Sequence, residues 1–179
     1  ILNKRHAAVL KSVIGKDVEN VTIKFDSKVA IFSFDNTTII CCLVVGKYPD
    51  YRTIIPQNNS NILRINRLQL LNTVRRISVC SPKGSNHIKF DLSAGTLEIS
   101  AQDLGFEIAA HEKISCQYDG SDLSIGFKST HIIEMLSNLS CEEILMKFAD
   151  KRRSALLLPS EEDAQSEKVF GIVMPIMVK

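Results

Sequence analysis

Cysteine, histidine and grouped arginine are the residues of this 179-residue chain whose types could do chemistry. Five cysteines (Cys41, Cys42, Cys80, Cys116, Cys141) and four histidines make a thiol nucleophile activated by an imidazole conceivable. Their placement argues against it. Cys41 and Cys42 are adjacent in an apolar run, so in a strand they point to opposite faces, and the other three stand in no recognisable active-site context. No CxxC, no HxxxH and no clustered Asp motif offers metal-ligand spacing. No GxxxxGK[ST] or GxGxxG loop could cradle a phosphate. Catalytic residues, a metal and a cofactor are therefore not expected. The odd, uneven set of cysteines also argues against a disulfide framework and for a reducing compartment.

The arginines are more informative. Around Leu68–Cys80 the apolar positions Leu70, Leu71, Val74 and Ile77 recur at helical spacing. On the opposite side fall Gln69, Asn72, Thr73 and Arg76, with Arg67 and Arg75 at the border. A solvated helix face ordinarily mixes charge signs to gain i,i+4 pairs. This one carries Arg and amides with no acid, which suits a phosphate backbone read without regard to sequence. Lys4, Arg5 and Lys11 repeat the pattern near the N-terminus.

The net charge of only +2, with 45% hydrophobic and 23% charged residues, conceals this segregation. From Asn59 to Phe90 there are Arg64, Arg67, Arg75, Arg76, Lys83 and Lys89 and no acid. From Asp91 to Asp150 acids dominate, so a near-neutral protein can carry a basic and an acidic face. No uninterrupted apolar run approaches the roughly 18 residues of a membrane-spanning helix, so no membrane role is expected. Nor does the N-terminus read as a secretory signal. It opens on Ile rather than Met, which suggests that the natural beginning is lost.

Strand signals set the frame for these side chains. Asn20–Asp26 and Lys28–Phe34 alternate in polarity around an Asp-Ser break and read as a hairpin, with Thr37–Val45 as a third strand. Further strands are expected at Asn61–Asn66, His87–Leu92, Thr96–Ala101, Phe106–His111, Leu123–Phe127, Ile144–Phe148, Ala155–Leu158 and Val169–Ile176. Lys4–Ile14, Leu68–Cys80 and Ser129–Leu139 show helical spacing, the last with Ser129 or Thr130 as a candidate N-cap. An internal echo joins His6–Lys28 to His131–Lys151: helix, polar break, strand ending in Lys-Phe, turn, strand. It points to duplicated helix-plus-sheet units, with a linker over Pro49–Asn59. At the C-terminus, Pro175 should interrupt the ladder. The Met-rich end of the chain either finishes a core or makes an adaptable groove for a peptide.

Several segments together resemble the bacterial DNA sliding clamp family, the beta subunit of DNA polymerase III. They are Gly46-Lys-Tyr-Pro-Asp-Tyr-Arg52 with Ile54-Ile-Pro56, Ser100-Ala-Gln-Asp103, Leu123-Ser-Ile-Gly-Phe127 before a helix, and Val173-Met-Pro-Ile176. The resemblance implies an α+β DNA clamp fold, with antiparallel sheets outside and paired helices lining the inner face. It divides the chain into the second half of the middle domain (1–58) and a complete C-terminal domain (59–179). It also implies a non-catalytic, cytoplasmic, nucleoid-associated processivity factor that encircles duplex DNA and contacts its backbone through Lys4, Arg5, Lys11, Arg67, Gln69, Asn72, Arg75 and Arg76. Partners implied are the polymerase III alpha subunit, the clamp loader and other proteins carrying clamp-binding motifs. Their peptide pocket would draw on Pro49, Thr53, Ile54, Lys128, His131, Arg152, Ser154, Ile172, Val173, Met174, Pro175, Ile176 and Met177. Thr53, His131 and the final Met177-Val-Lys179 depart from the family pattern. A head-to-tail homodimer, when full length, would meet near Arg76, Val79 and Cys80 and the strand following Asn86. The competing reading is an unrelated β-rich module that binds nucleic acid or peptide.

Overall fold

The computed structural model describes residues 1–160 and 169–177, so Val178 and Lys179 of the departing C-terminal segment lie outside the described residues. Two compact units result, Ile1–Tyr51 and Arg52–Lys179.

In the first unit, helix α1 (Lys4–Val13) precedes an antiparallel sheet of β1 (Thr22–Phe25), β2 (Val29–Phe34) and β3 (Thr37–Cys42). Asn3 starts the helix by accepting the Arg5 N–H at 2.8 Å, satisfying one of the donors that a first turn leaves over. Asp26 makes the β1–β2 turn: its Oδ1 accepts the N–H groups of Lys28 and Val29 at 2.6 and 2.7 Å. Those two bonds hold its carboxyl below the usual aspartate range. The core is small, with Leu10, Ala30, Phe34 and Cys41 buried and Phe25 and Val45 largely exposed.

The second unit is a βαβββ arrangement written twice. Its first half is β4 (Asn61–Asn66), α2 (Arg67–Ser78), β5 (His87–Ser93), β6 (Thr96–Asp103) and β7 (Ile108–Ser115), followed by the short β8 (Gln117–Asp119). The second half is β9 (Leu123–Lys128), α3 (Ser129–Ser137), β10 (Glu143–Phe148), β11 (Ala155–Pro159) and β12 (Gly171–Val173). Each leading strand crosses into the other half's sheet. β4 pairs with β10 in the order β12-β11-β10-β4-β8, and β9 pairs with β5 in the order β7-β6-β5-β9. The alternating burial of β5 and β6 sends Ile88, Phe90, Leu92, Leu97 and Ile99 inward. There they meet the buried stripe of α2 (Leu70, Leu71, Val74, Ile77) and Ile132 and Leu136 of α3 in one core. Phe127 sits at its centre, edge-on to Phe90 at 5.4 Å and tilted against Phe148 at 6.3 Å.

The helices and most strands lie where the sequence places them, and the unit following the echo runs α, β, β, β in both copies. The strand expected over Thr37–Val45 ends at Cys42, and that expected over Val169–Ile176 spans only Gly171–Val173. Three further details differ. β7 starts at Ile108 rather than Phe106, because Asp103 folds the preceding residues into a turn through Gly105 N–H (2.9 Å) and Glu107 takes a left-handed φ of 54°. β8 is three residues long, too short for its alternation to be read from the sequence. Neither Ser129 nor Thr130 caps α3. Lys128 holds the cap position without a side-chain bond, and the Ser129 N–H donates to the Asn86 carbonyl at 2.8 Å.

Pro175 does end pairing with the five-stranded sheet, whose β12 stops at Val173. The tail is then caught by the other sheet, where Ile176 N–H donates to Gly126 O at 2.9 Å. Replacing Phe127 by Ala should cost about 3–5 kcal/mol of unfolding free energy, through lost transfer energy and the cavity left between two rings. A urea titration measures it, and a loss below about 1 kcal/mol would show that the centre of this core collapses freely.

Candidate functional site

Helix α2 begins at Asn66, whose side-chain oxygen accepts the Gln69 N–H at 3.0 Å. Gln69, Asn72, Arg75 and Arg76 are exposed, as expected, but Thr73 is fully buried. Arg67 is half-buried and structural. Its Nε donates to the Cys141 carbonyl at 2.7 Å and a terminal nitrogen to the Leu136 carbonyl at 3.1 Å, satisfying a carbonyl that the end of α3 leaves unpaired. Arg75 reaches Ser137 Oγ at 3.3 Å. Two arginines of α2 thus fasten it to α3.

The acid-free face is acid-free only along the chain. Glu112 of β7 grips Arg76 with both oxygens, Nε to Oε2 at 3.0 Å and a terminal nitrogen to Oε1 at 2.6 Å. Thr73 donates to the same carboxylate at 2.9 Å. The fork geometry strengthens the pair. The Arg76 bond holds the Glu112 carboxyl below its ordinary value of 4.5, opposed by partial burial and helped by Thr73. The basic face is tempered here because the β5–β7 meander returns Glu112 of β7 to the side of α2. Further pairs, Arg64 with Glu143 at 3.5 Å and Lys113 with Glu98 at 3.4 Å, mix signs elsewhere. In the first unit Lys4, Arg5 and Lys11 of α1 are all exposed.

The second surface lies between α3 and β12. His131, Ile172, Val173 and Met174 line a cavity of about 540 Å³, together with Glu134, Met135, Asn138, Leu139, Leu157 and Phe170. At Gly171 the strand faces the flexible end of the Met135 side chain, the group that an added Cβ would displace. Beyond His131, the residues of this segment (Glu134, Met135, Asn138 and Leu139) went unnoticed in the sequence, although Met135 and Asn138 follow His131 at i+4 and i+7, a stripe that could have found them. Of the other expected pocket residues, Ile176 and Met177 border a smaller cavity of about 260 Å³. Lys128 caps α3, and Arg152 and Ser154 belong to the β10–β11 turn, where the Ser154 carbonyl accepts from Asn59 at 3.0 Å. Thr53 and Ile54 lie in a 3-10 turn, Tyr51–Ile54, and Pro49 belongs to the first unit.

At the end of α2, Val79 is 78% exposed and Cys80 partly buried. The strand following Asn86, β5, is interior to its sheet between β6 and β9, whereas β7 is an edge. A partner's backbone could therefore pair with β7 and not with β5. The cysteines are free, with Cys41 and Cys141 buried, and burial pushes the Cys116 thiol up, away from the reactive thiolate. Among the described residues no His, Cys, Asp and Glu group could hold a metal ion, and no helix is long and apolar enough to cross a membrane.

This pairing of helices over two antiparallel sheets is that of solved sliding clamps. A DNA polymerase sliding clamp from Pseudomonas aeruginosa, crystallised with a ligand, superposes with a TM-score of 0.91 at 24% identity, over 99% of this chain and 48% of that one. A DnaN sliding clamp from Bartonella birtlesii bound to griselimycin also gives 0.91, at 23% identity, over 99% of this chain and 47% of that one. In sequence, the beta sliding clamp of Haemophilus influenzae is 30% identical over 141 residues, 79% of this chain and 37% of the relative. That of Pseudomonas putida is 32% identical over 134 residues, 75% and 35% respectively. The model of the DNA polymerase III beta subunit, C-terminal domain, matches residues 52–176. The chain belongs to that family, with the DNA clamp fold, and spans about a third of the length of the curated relatives it matches.

Because the folded Glu112 value is depressed, the pair adds stability at pH above 4.5, and that contribution is lost as pH falls through the lowered value. An NMR titration should place the Glu112 midpoint below 4.5, and Glu112→Gln should make acid unfolding shallower. A midpoint at or above the ordinary value would mean that the fork is broken in solution.

Proposed function

We propose that this chain is part of a replication sliding clamp, a non-catalytic processivity factor that encircles duplex DNA and tethers polymerase to it. In this reading residues 1–58 are the second half of the middle domain and 59–179 the complete C-terminal domain. The observation that carries the proposal is the family match across residues 52–176 together with the clamp fold of the same residues. Lys4, Arg5 and Lys11 on α1, and Gln69, Asn72, Arg75 and Arg76 on α2, meet phosphates and leave bases unread. Arg67 supports this surface by holding α2 to α3. Contacts confined to the backbone permit sliding, because moving by one base pair changes little energy. A closed ring keeps its polymerase on DNA without high affinity.

The groove beside β12 and the tail from Met174 to Met177 receive peptide motifs of the polymerase alpha subunit, the clamp loader and other clamp-binding proteins. Exposed methionines (Met174 at 64%, Met177 at 76%) suit several apolar side chains, because the thioether chain is flexible and polarizable. Two full-length copies close the ring head to tail through the β7 edge, with Arg76, Val79 and Cys80 beside it. The protein works in the bacterial cytoplasm, at the nucleoid during replication.

A full-length protein containing this chain should stay on nicked circular plasmid after loading and be released when the plasmid is linearised. Arg75→Ala combined with Lys11→Ala should shorten its residence. Equal retention on linear DNA with free ends would favour an ordinary nucleic-acid-binding module. For the groove, a polymerase tail peptide should shift the Met174 and Ile176 resonances, and shifts confined to other surfaces would remove the assignment.

A further inference from the structure

Lys89 and Met177 face two cavities at once, on the side of the four-stranded sheet away from the core. The smaller, about 260 Å³, also takes in Lys151, Gly126 and Ile176. The larger, about 760 Å³, runs over His87, Ser100 and His111. Strand register explains the layout. Ile88 and Phe90 are buried, so His87 and Lys89 must point outward. Lys89 lies opposite Gly126 on β9 and Ser100 on β6, and Ser100 opposite His111 on β7. A row Gly126, Lys89, Ser100, His111 therefore crosses the whole sheet. Gly126 leaves room at its start, where the tail is pinned by the Ile176 to Gly126 bond, and exposed Met177 lies between the two cavities.

The cations of this row are Lys151 and Lys89. Lys151, at the β10–β11 turn, is exposed and enters none of the described ion pairs, while Lys89 and the ring nitrogens of His87 and His111, which can donate hydrogen bonds to a carboxylate, continue the line. Of the acids nearby, two are held in ion pairs and one in a turn, and the first of these pairs also holds Lys89. Asp91 pairs with Lys89 at 3.0 Å and accepts Ser124 Oγ at 2.6 Å. Glu98 pairs with Lys113, and Asp103, which borders the larger cavity, accepts the Gly105 N–H. An apolar tail adjoining a basic row complements a peptide with apolar residues followed by acidic ones.

We propose that the row from Lys151 across Lys89 to His111 is a docking track for an acidic flank of the partner peptide whose apolar residues seat on the C-terminal tail. The proposal rests on the peptide-groove reading and adds the chemistry that selects among partners. It is tested by titrating the chain into three labelled peptides that share one apolar core and carry four Glu, four Ser or four Lys after it, read by fluorescence anisotropy. The Glu peptide should bind about fivefold tighter than the Ser peptide at low salt, an advantage that fades near about 0.5 M salt. The Lys peptide should bind weakest. Lys151→Glu should abolish the advantage and leave the Ser peptide's affinity unchanged, and His111→Glu should reduce it at the far end. Both positions are exposed, and matching thermal melts will show that the variants fold. Equal affinity for the Glu and Ser peptides, or an advantage that survives both substitutions, overturns the track while the groove stands. Failure of all three peptides to bind overturns both.

Discussion

The second unit depends on an exchange of strands. β4 leaves the half of the chain that it begins and pairs with β10, and β9 likewise pairs with β5. Neither half can then bury its apolar face alone. Ile88, Phe90 and Leu97 from one half and Phe127, Ile144 and Phe148 from the other share a single core, and two short helices close it. Backbone ladders supply direction and register, and burial of the rings and branched side chains supplies most of the free energy.

That constraint also sets what the helices can offer outward. With its apolar stripe committed to the core, α2 has one face left, and part of this is spent internally. Arg67 serves the end of α3 and Arg76 is gripped by Glu112. A guanidinium held in a fork is pre-oriented and keeps its positive charge, so an ion pair of this kind tempers a basic surface without erasing it. Asn72 and Gln69, and Arg75 beyond its single bond to Ser137, are the more available groups. The same economy governs the tail, which serves first as a strand, then crosses to the other sheet at Gly126, and ends with methionine exposed beside lysine.

Much of this was legible in the chain. The period of 3.6 in Leu70, Leu71, Val74 and Ile77 and the period of 2 in β5 and β6 report burial directly, because a helix stripe and a strand face each meet one core. The family segments named the fold, and the groove could be anticipated from Val173-Met-Pro-Ile176. The turn before β7, the three-residue β8 and the cap of α3 were missed. Each depends on a contact with a residue or backbone conformation that periodicity does not report, such as Asn86 O accepting from Ser129 or the pairing of β8 with β4.

The sequence by itself determined which residues turn inward, where helices and strands alternate, and which family the pattern belongs to, since these follow from local spacing and side-chain type. Only the tertiary structure decided that Glu112 lies against Arg76, that Arg67 is a fastener, that β7 rather than β5 is the free edge, and that Met177 adjoins Lys89. These contacts join residues tens of positions apart. They are set by strand order and register, and the order in which the sheets assemble is a property of the whole core that no window of the chain contains.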